Sequence, residues 1–294
     1  MKRDRSDLPT RVPLPLLLST PAFAAWAEQH AIALGERPMA VDSARFRHSW
    51  AGGCARATGY RIAGVTVSDP PEVGVLWIMR NGQVLHEELQ AAYEAAWPGC
   101  RAEVRCEIAG HSTAGHADLV IDNHPDYGTV VVEFKTTNGY SFKRHTGGIG
   151  QAEGPYHSAK TQGALNAYAL DADTVAIIDI ATERMGPRER RKAYGDDHTP
   201  LLGIVAEWIY PRSEWEPWAL AELDRIDRIY RRLDDGRLAP RAIADPEVPS
   251  TARVVDPDTG TWQVQSAAGQ VLETGSTWRC QGCWYRGQCV TDGV

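Results

Sequence analysis

The 294-residue chain is 43% hydrophobic, enough to bury one sizeable core, and carries a formal net charge of −7. One large domain is the natural expectation, and no stretch is long and apolar enough to span a bilayer as a helix. The acidic balance excludes a global positive field as the means of attracting nucleic acid.

A local groove could still be built from Lys143 and Arg144, from Arg188, Arg190, Arg191 and Lys192, or from the run Arg225 to Arg232. Each cluster has a plain alternative as a solvated face. At the N-terminus, Lys2, Arg3 and Arg5 precede apolar Leu14 to Leu18, with Ala22 to Ala24 after it. A secretory signal has that layout, but Pro13 and Pro15 interrupt the apolar run and Asp4 and Asp7 dilute the basic one. A cytoplasmic protein is expected.

In chain order, residues 1–40 read as an arm ending in a helix around Ala22 to Leu34, and 41–294 as a single domain. A helix is expected over Ala44 to Tyr60, weakened by Gly52 and Gly53, and another over Gly74 to Glu94. In Arg101 to Ile108, Ala102, Val104, Cys106 and Ile108 alternate with charged residues, the period of a half-buried strand. His116 to Asp122 and Thr129 to Lys135 follow as strands joined through Asn123 to Gly128. Thr146 to Pro155 reads as a mobile loop, His157 to Leu170 as a helix, Thr174 to Ile180 and Leu201 to Tyr210 as strands. Ser213 to Asp235 reads as a long helix capped by Ser213, with Glu216 three residues on. A small hairpin is expected within Asp256 to Leu272.

The sharpest local signal is Gly115-His116-Ala117-Asp118, with Glu133-Phe134-Lys135 beginning fifteen residues after the aspartate. Strand side chains alternate faces, so Glu133 and Lys135 project together while Phe134 points to the core with Val130 and Val132. Two carboxylates meeting at a sheet edge repel, and a divalent cation would relieve that. Mg²⁺ or Mn²⁺ held by Asp118 and Glu133 would polarise a phosphate and activate a bound water, with Lys135 beside it. A surface hairpin with a Glu–Lys ladder is the plain alternative. His86, on the upstream helix, could add a nitrogen ligand, although a lone histidine is more often structural. Gln162 could hold Lys135 or a phosphate, or be a solvated helix position.

Cys280-x-x-Cys283-x5-Cys289, with Cys54 from the other end of the chain, makes a ligand-like set of four. Four thiolates suit a [4Fe–4S] cluster or a structural zinc, either of which would fasten the two ends together; disulfides in a secreted protein are the competing reading. Cys106 falls on the apolar strand face and Cys100 in a turn.

On His86, Gly115 to Asp118, Glu133-Phe134-Lys135, Gln162 and the cysteine set, the chain resembles the PD-(D/E)XK nuclease superfamily. Within it, the nearest likeness is to RecB-like and CRISPR-associated or phage-encoded exonucleases with an iron–sulfur cluster. The resemblance implies an α/β, restriction-endonuclease-like core: a central mixed sheet flanked by helices, with the terminal segments joined by a cysteine-ligated cluster. It implies that His86, Asp118 and Glu133 bind Mg²⁺ or Mn²⁺, that Lys135 is catalytic, and that Gln162 supports the site. It also implies that Cys54, Cys280, Cys283 and Cys289 hold [4Fe–4S], with zinc the lesser candidate. Where that pattern carries a tyrosine four residues after the glutamine, this chain has Asn166, with Tyr168 two further on. The expected activity is metal-dependent DNA hydrolysis from single-stranded ends, with DNA as partner and a helicase, recombinase or similar protein as associate. The rival is a non-catalytic, cluster-stabilised DNA-binding or assembly subunit.

Overall fold

The computed structural model describes residues 45–71, 73–97, 99–147, 153–183, 204–239, 253–256, 261–265, 271–276 and 283–292, with positions 186, 188 and 191. The N-terminal arm and helix expected before residue 41 lie outside these residues, as do Arg190, Lys192 and Cys280.

The helix expected over 44–60 divides. Strand β1 (Phe46–Arg47) runs into a 3-10 turn (His48–Trp50), and only Ala55–Ile62 is α-helical (α1). Gly52 sits at φ 65°, a left-handed conformation that ends any helix there. Helix α2 (Val73–Ala96) leads to β2 (Arg101–Glu107), β3 (Thr113–His124) and β4 (Gly128–Thr137). Helix α3 (Gly139–Thr146), α4 (His157–Ala169), β5 (Thr174–Ala181), β6 (Val205–Pro211) and α5 (Arg212–Asp234) follow. Ser213 does not cap α5; the cap position is Pro211, and no side chain serves it. Where a hairpin was expected over Asp256 to Leu272, three strands extend past both ends of that stretch: β7 (Arg253–Asp256), β8 (Thr261–Gln265) and β9 (Val271–Ser276) form an antiparallel sheet. The short α6 (Arg286–Thr291) ends the described chain.

The main sheet is mixed, in the order β1-β3-β4-β5-β6 with β2 also paired to β3. β4 and β5 are parallel through an intervening crossover, while β3–β4 and β5–β6 are antiparallel. One face carries Val120, Val131, Val175 and Ile177 against Leu165 of α4 and Trp215, Leu223 and Ile226 of α5. The other carries Leu119, Val132, Phe134 and Ile178, with Leu89 and Tyr93 of α2 packed on them. A mixed sheet between helices is thus the core, and the part of the expected architecture that concerns a cysteine-ligated junction is corrected below.

Strand β2 departs from simple alternation. Ala102 packs with the α2 face, whereas Val104 and Cys106 lie on the α4 face. The phase changes at Glu103, whose φ of 48° is left-handed, opposite Asp118 in the register. Gln90 of α2 fastens the change: its amide donates to Glu103 Oε1 and to the Asp118 carbonyl, each at 2.9 Å. Asp118 therefore stands where β3 itself turns from one face to the other.

Candidate functional site

Strands β3 and β4 pair from Leu119–Val132 toward the hairpin turn and part beyond it. The fork so formed holds Asp118 on one branch and Glu133 and Lys135 on the other. One carboxylate oxygen of Asp118 replaces the missing ladder bond, accepting from the Phe134 amide at 2.7 Å. Lys135 donates to Glu133 Oε1 and, at 3.1 Å, to Gln162 Oε1. Gln162 reaches because α4 lies close on the sheet through Gly163, where a Cβ would meet Val175 Cγ1 at 2.9 Å. Residues from β4 and α4 thus meet on one ammonium group.

The fork is interior. β4 lies between β3 and β5, so the sheet edge expected for the carboxylates is a central strand, and Glu133 is fully buried. Burial first, then the neighbouring Asp118 charge, pushes the Glu133 carboxyl up to about 8, against the pull of Lys135. Burial also raises Asp118, with Lys135 and His86 partly offsetting it. For Lys135 burial works against the charge, but the carboxylates of Glu133 and Asp118 outweigh it and hold the ammonium above its ordinary value.

The cation expected among His86, Asp118 and Glu133 does not fit this arrangement. Among the described residues, no three His, Cys, Asp or Glu side chains are grouped to hold a metal ion. Glu133 spends one oxygen on Lys135, Asp118 spends one on a backbone amide, and His86 Nδ1 stops 3.8 Å from Asp118 Oδ2. His86 instead packs edge-on against Phe134, and burial lowers its pKa in spite of Asp118. Lys135 sets its positive charge against the Glu133 carboxyl, where Mg²⁺ or Mn²⁺ was expected, and burial raises the pKa of both carboxyls.

The [4Fe–4S] cluster and its zinc alternative are corrected on the same finding: no metal-holding group of cysteines exists among the described residues, which include Cys54, Cys283 and Cys289. The segment around α6 is joined to the α1 region by other means. Asp69 Oδ2 accepts from the Gly287 amide at 2.7 Å and Ser68 Oγ from the Gln288 amide at 3.1 Å, capping α6 from a distant part of the chain. The Ser68 and Asp69 amides both donate to the Trp284 carbonyl. Tyr60 stacks on Tyr285 and donates to Asp292, and the Arg61 guanidinium lies over both Trp50 and Trp284.

Several residues of the site were not singled out from sequence. Asn166, one turn after Gln162 on α4, donates to the His116 carbonyl at 3.0 Å and toward Glu133 Oε2 at 3.5 Å. His48 pairs with its other end. Asp179 of β5 stands in register with Lys135 and is held by His145 of α3 at 2.5 Å. The four-residue spacing of Gln162 and Asn166 was the available signal; His48 and Asp179 had none. Of the basic runs, Arg144 is paired with Glu153, Arg225 with Glu222 and Arg228 with Asp224, so these arginines are largely neutralised.

No protein-family model matches the chain, and no curated protein matches it. Among solved structures, the crystal structure of SSO0001 is 13% identical with a TM-score of 0.42, over 76% of this chain and 88% of that one. An alkaline exonuclease (LHK-Exo) from Laribacter hongkongensis is 11% identical with a TM-score of 0.41, over 67% and 95%. A phage-related exonuclease from Haemophilus somnus 129PT is 12% identical with a TM-score of 0.38, over 62% and 81%. No helix among the described residues is long and apolar enough to cross a membrane.

Proposed function

We propose that the protein is a nuclease that hydrolyses phosphodiester bonds in DNA, working from single-stranded ends. The observation that carries the reading is the buried Glu133–Lys135 pair in the strand fork, with Asp118 and Gln162 beside it. Burying three titratable groups where a hydrophobic trio would pack costs stability, and reaction centres are where such costs are commonly met.

Glu133, with its carboxyl near 8, is matched to the proton of an attacking water at neutral to alkaline pH. Water oxygen bonds to phosphorus as its proton passes to Glu133, and the bond from phosphorus to the 3′ oxygen breaks. Lys135 gives a proton to that leaving oxygen and recovers one from Glu133, leaving a 5′ phosphate. While the pentacovalent phosphorus exists, the ammonium faces its oxygens, and Gln162 keeps the lysine in place. The choice of DNA and of ends follows the order His86, Asp118, Glu133, Lys135, Gln162 along the chain.

The test compares wild type with Lys135→Ala and Asp118→Ala on end-labelled linear and circular single strands. Each is run in Mg²⁺, in Mn²⁺ and in chelator, which separates any substrate-borne cation from the side chains' own contribution. Loss of a single general acid–base group predicts a rate lower by roughly 10²–10⁴-fold in Lys135→Ala. Equal rates in all three proteins would remove the assignment, and cleavage of circles would remove the preference for ends.

A further inference from the structure

Glu133 has two carboxylate oxygens, and Lys135 occupies one of them. The second faces the Asn166 amide, whose NH₂ also donates to the His116 carbonyl. With two acceptors on its nitrogen side, Asn166 has only one workable orientation, because the flipped amide would set oxygen against oxygen. Its Oδ1 then needs a donor, and His48 Nδ1 stands 2.7 Å away. His48 is fully buried, and its other nitrogen, Nε2, has no partner. A proton on Nε2 would have no acceptor, so the ring is neutral with its one proton on Nδ1. Burial accordingly lowers the His48 pKa, despite the hydrogen bond to Asn166.

Strand β3 is shaped around this ring. A Cβ on Gly115 would fall 2.4 Å from His48 Nδ1, so glycine in the Gly115-His116-Ala117-Asp118 stretch is what admits the histidine.

From this geometry we infer that His48 and Asn166 form a polar relay that positions Glu133, bringing the 3-10 turn after β1 into the site. His48 fixes which way the amide faces, and the amide holds the Glu133 oxygen that Lys135 does not. The carboxylate is gripped at both ends, which sets the lone pair it offers to water. The relay rests on the nuclease reading for its effect on rate, though not for its existence.

Steady-state hydrolysis of end-labelled single-stranded DNA is measured for wild type, Asn166→Ala, His48→Leu, His48→Gln and the Asn166→Ala/His48→Leu double variant. Both single truncations are expected to lower kcat about tenfold with KM within about twofold, and the double variant to fall no further than the worse single. His48→Gln, which keeps a donor for Asn166, recovers most of kcat. Losses that multiply in the double variant, or an unchanged kcat in Asn166→Ala, overturn the relay.

Nitrogen-15 spectra of the histidine rings give a readout independent of activity. Wild type is expected to show His48 protonated on Nδ1, a preference lost in Asn166→Ala; protonation on Nε2 in wild type overturns the relay. A wild type that cuts nothing removes the nuclease reading, and the nitrogen spectra then decide the relay alone.

Discussion

Two carboxylates in this molecule respond to their surroundings in opposite directions. Glu133, at the strand fork, is buried and pushed up to about 8 by that burial and by Asp118. Asp69, at the junction with α6, is pulled below its ordinary value, chiefly by the Gly287 amide and then by the Ser68 hydroxyl. The first region tolerates unfavourable charge to bring polar groups together; the second uses ordinary capping to hold two stretches of chain. From sequence both were ligand sites. Only the fork has the converging, desolvated groups that chemistry requires, and the junction needs no metal to explain it.

The comparison breaks most sharply at Glu133. Replacing it with glutamine is expected to lower DNA hydrolysis by roughly 10³-fold, within the range for loss of a general base. The same change alters stability against pH. Folded Glu133 keeps its proton to about pH 8, while the unfolded chain releases it in the ordinary carboxylate range. Between those limits the folded state binds more protons, so this group's contribution to stability falls as pH rises and levels off above about 8. Asp118, also raised, adds to the slope. Thermal unfolding followed from pH 5 to 9 should show a shallower decline in Glu133→Gln than in wild type. Parallel declines would mean that Glu133 does not hold its proton in the fold.

A second, smaller effect is expected at Gly115. Gly115→Ala forces the β3 backbone or the His48 ring to move and should cost about 1–3 kcal/mol, the usual range for overpacking, read as a lower denaturant midpoint. An unchanged midpoint would show that the ring has room to withdraw. In Gly163→Ala the added methyl meets the Val175 and Ile177 side chains instead, so that variant separates helix–sheet spacing from the histidine contact.

How much of this was legible follows from how local each cause is. Alternation along Val130 to Lys135 depends on strand geometry alone, so the shared side of Glu133 and Lys135 and the inward Phe134 could be read directly. The alternation of β2 failed at Glu103, where the backbone is left-handed and the side chain accepts from Gln90, thirteen residues away on α2. Asn166 was visible as a departure from a pattern, but its partner His48 lies 118 positions earlier, beyond any local rule. Helix α3 was missed although its ends are marked: the Asn138 side chain accepts from the Ser141 amide and Gly147 closes it at φ 84°. The cysteine spacing misled because it is a local pattern whose meaning depends on distant geometry, and capping hydrogen bonds between Ser68–Asp69 and α6 leave no signature in either segment alone.

The mildest test falls on that junction. Asp69→Ala removes the acceptor for the Gly287 amide, and a lost helix cap typically costs about 1 kcal/mol. Because the folded carboxyl is held below its ordinary value, the stability it adds is present above the ordinary carboxylate range and lost as pH falls through and below it. Acid should therefore loosen the junction under the conditions that favour protonated Glu133 at the fork. Hydrogen exchange at pH 7 should show the α6 amides faster in Asp69→Ala, with the amides of β4 and β5 unchanged and DNA hydrolysis as in wild type. At a pH below the ordinary carboxylate range wild type should approach the variant. If α6 exchanged slowly in Asp69→Ala at both values, the capping bonds would not be what fastens it, and the Tyr60–Tyr285 and Arg61–Trp284 contacts would have to hold it alone.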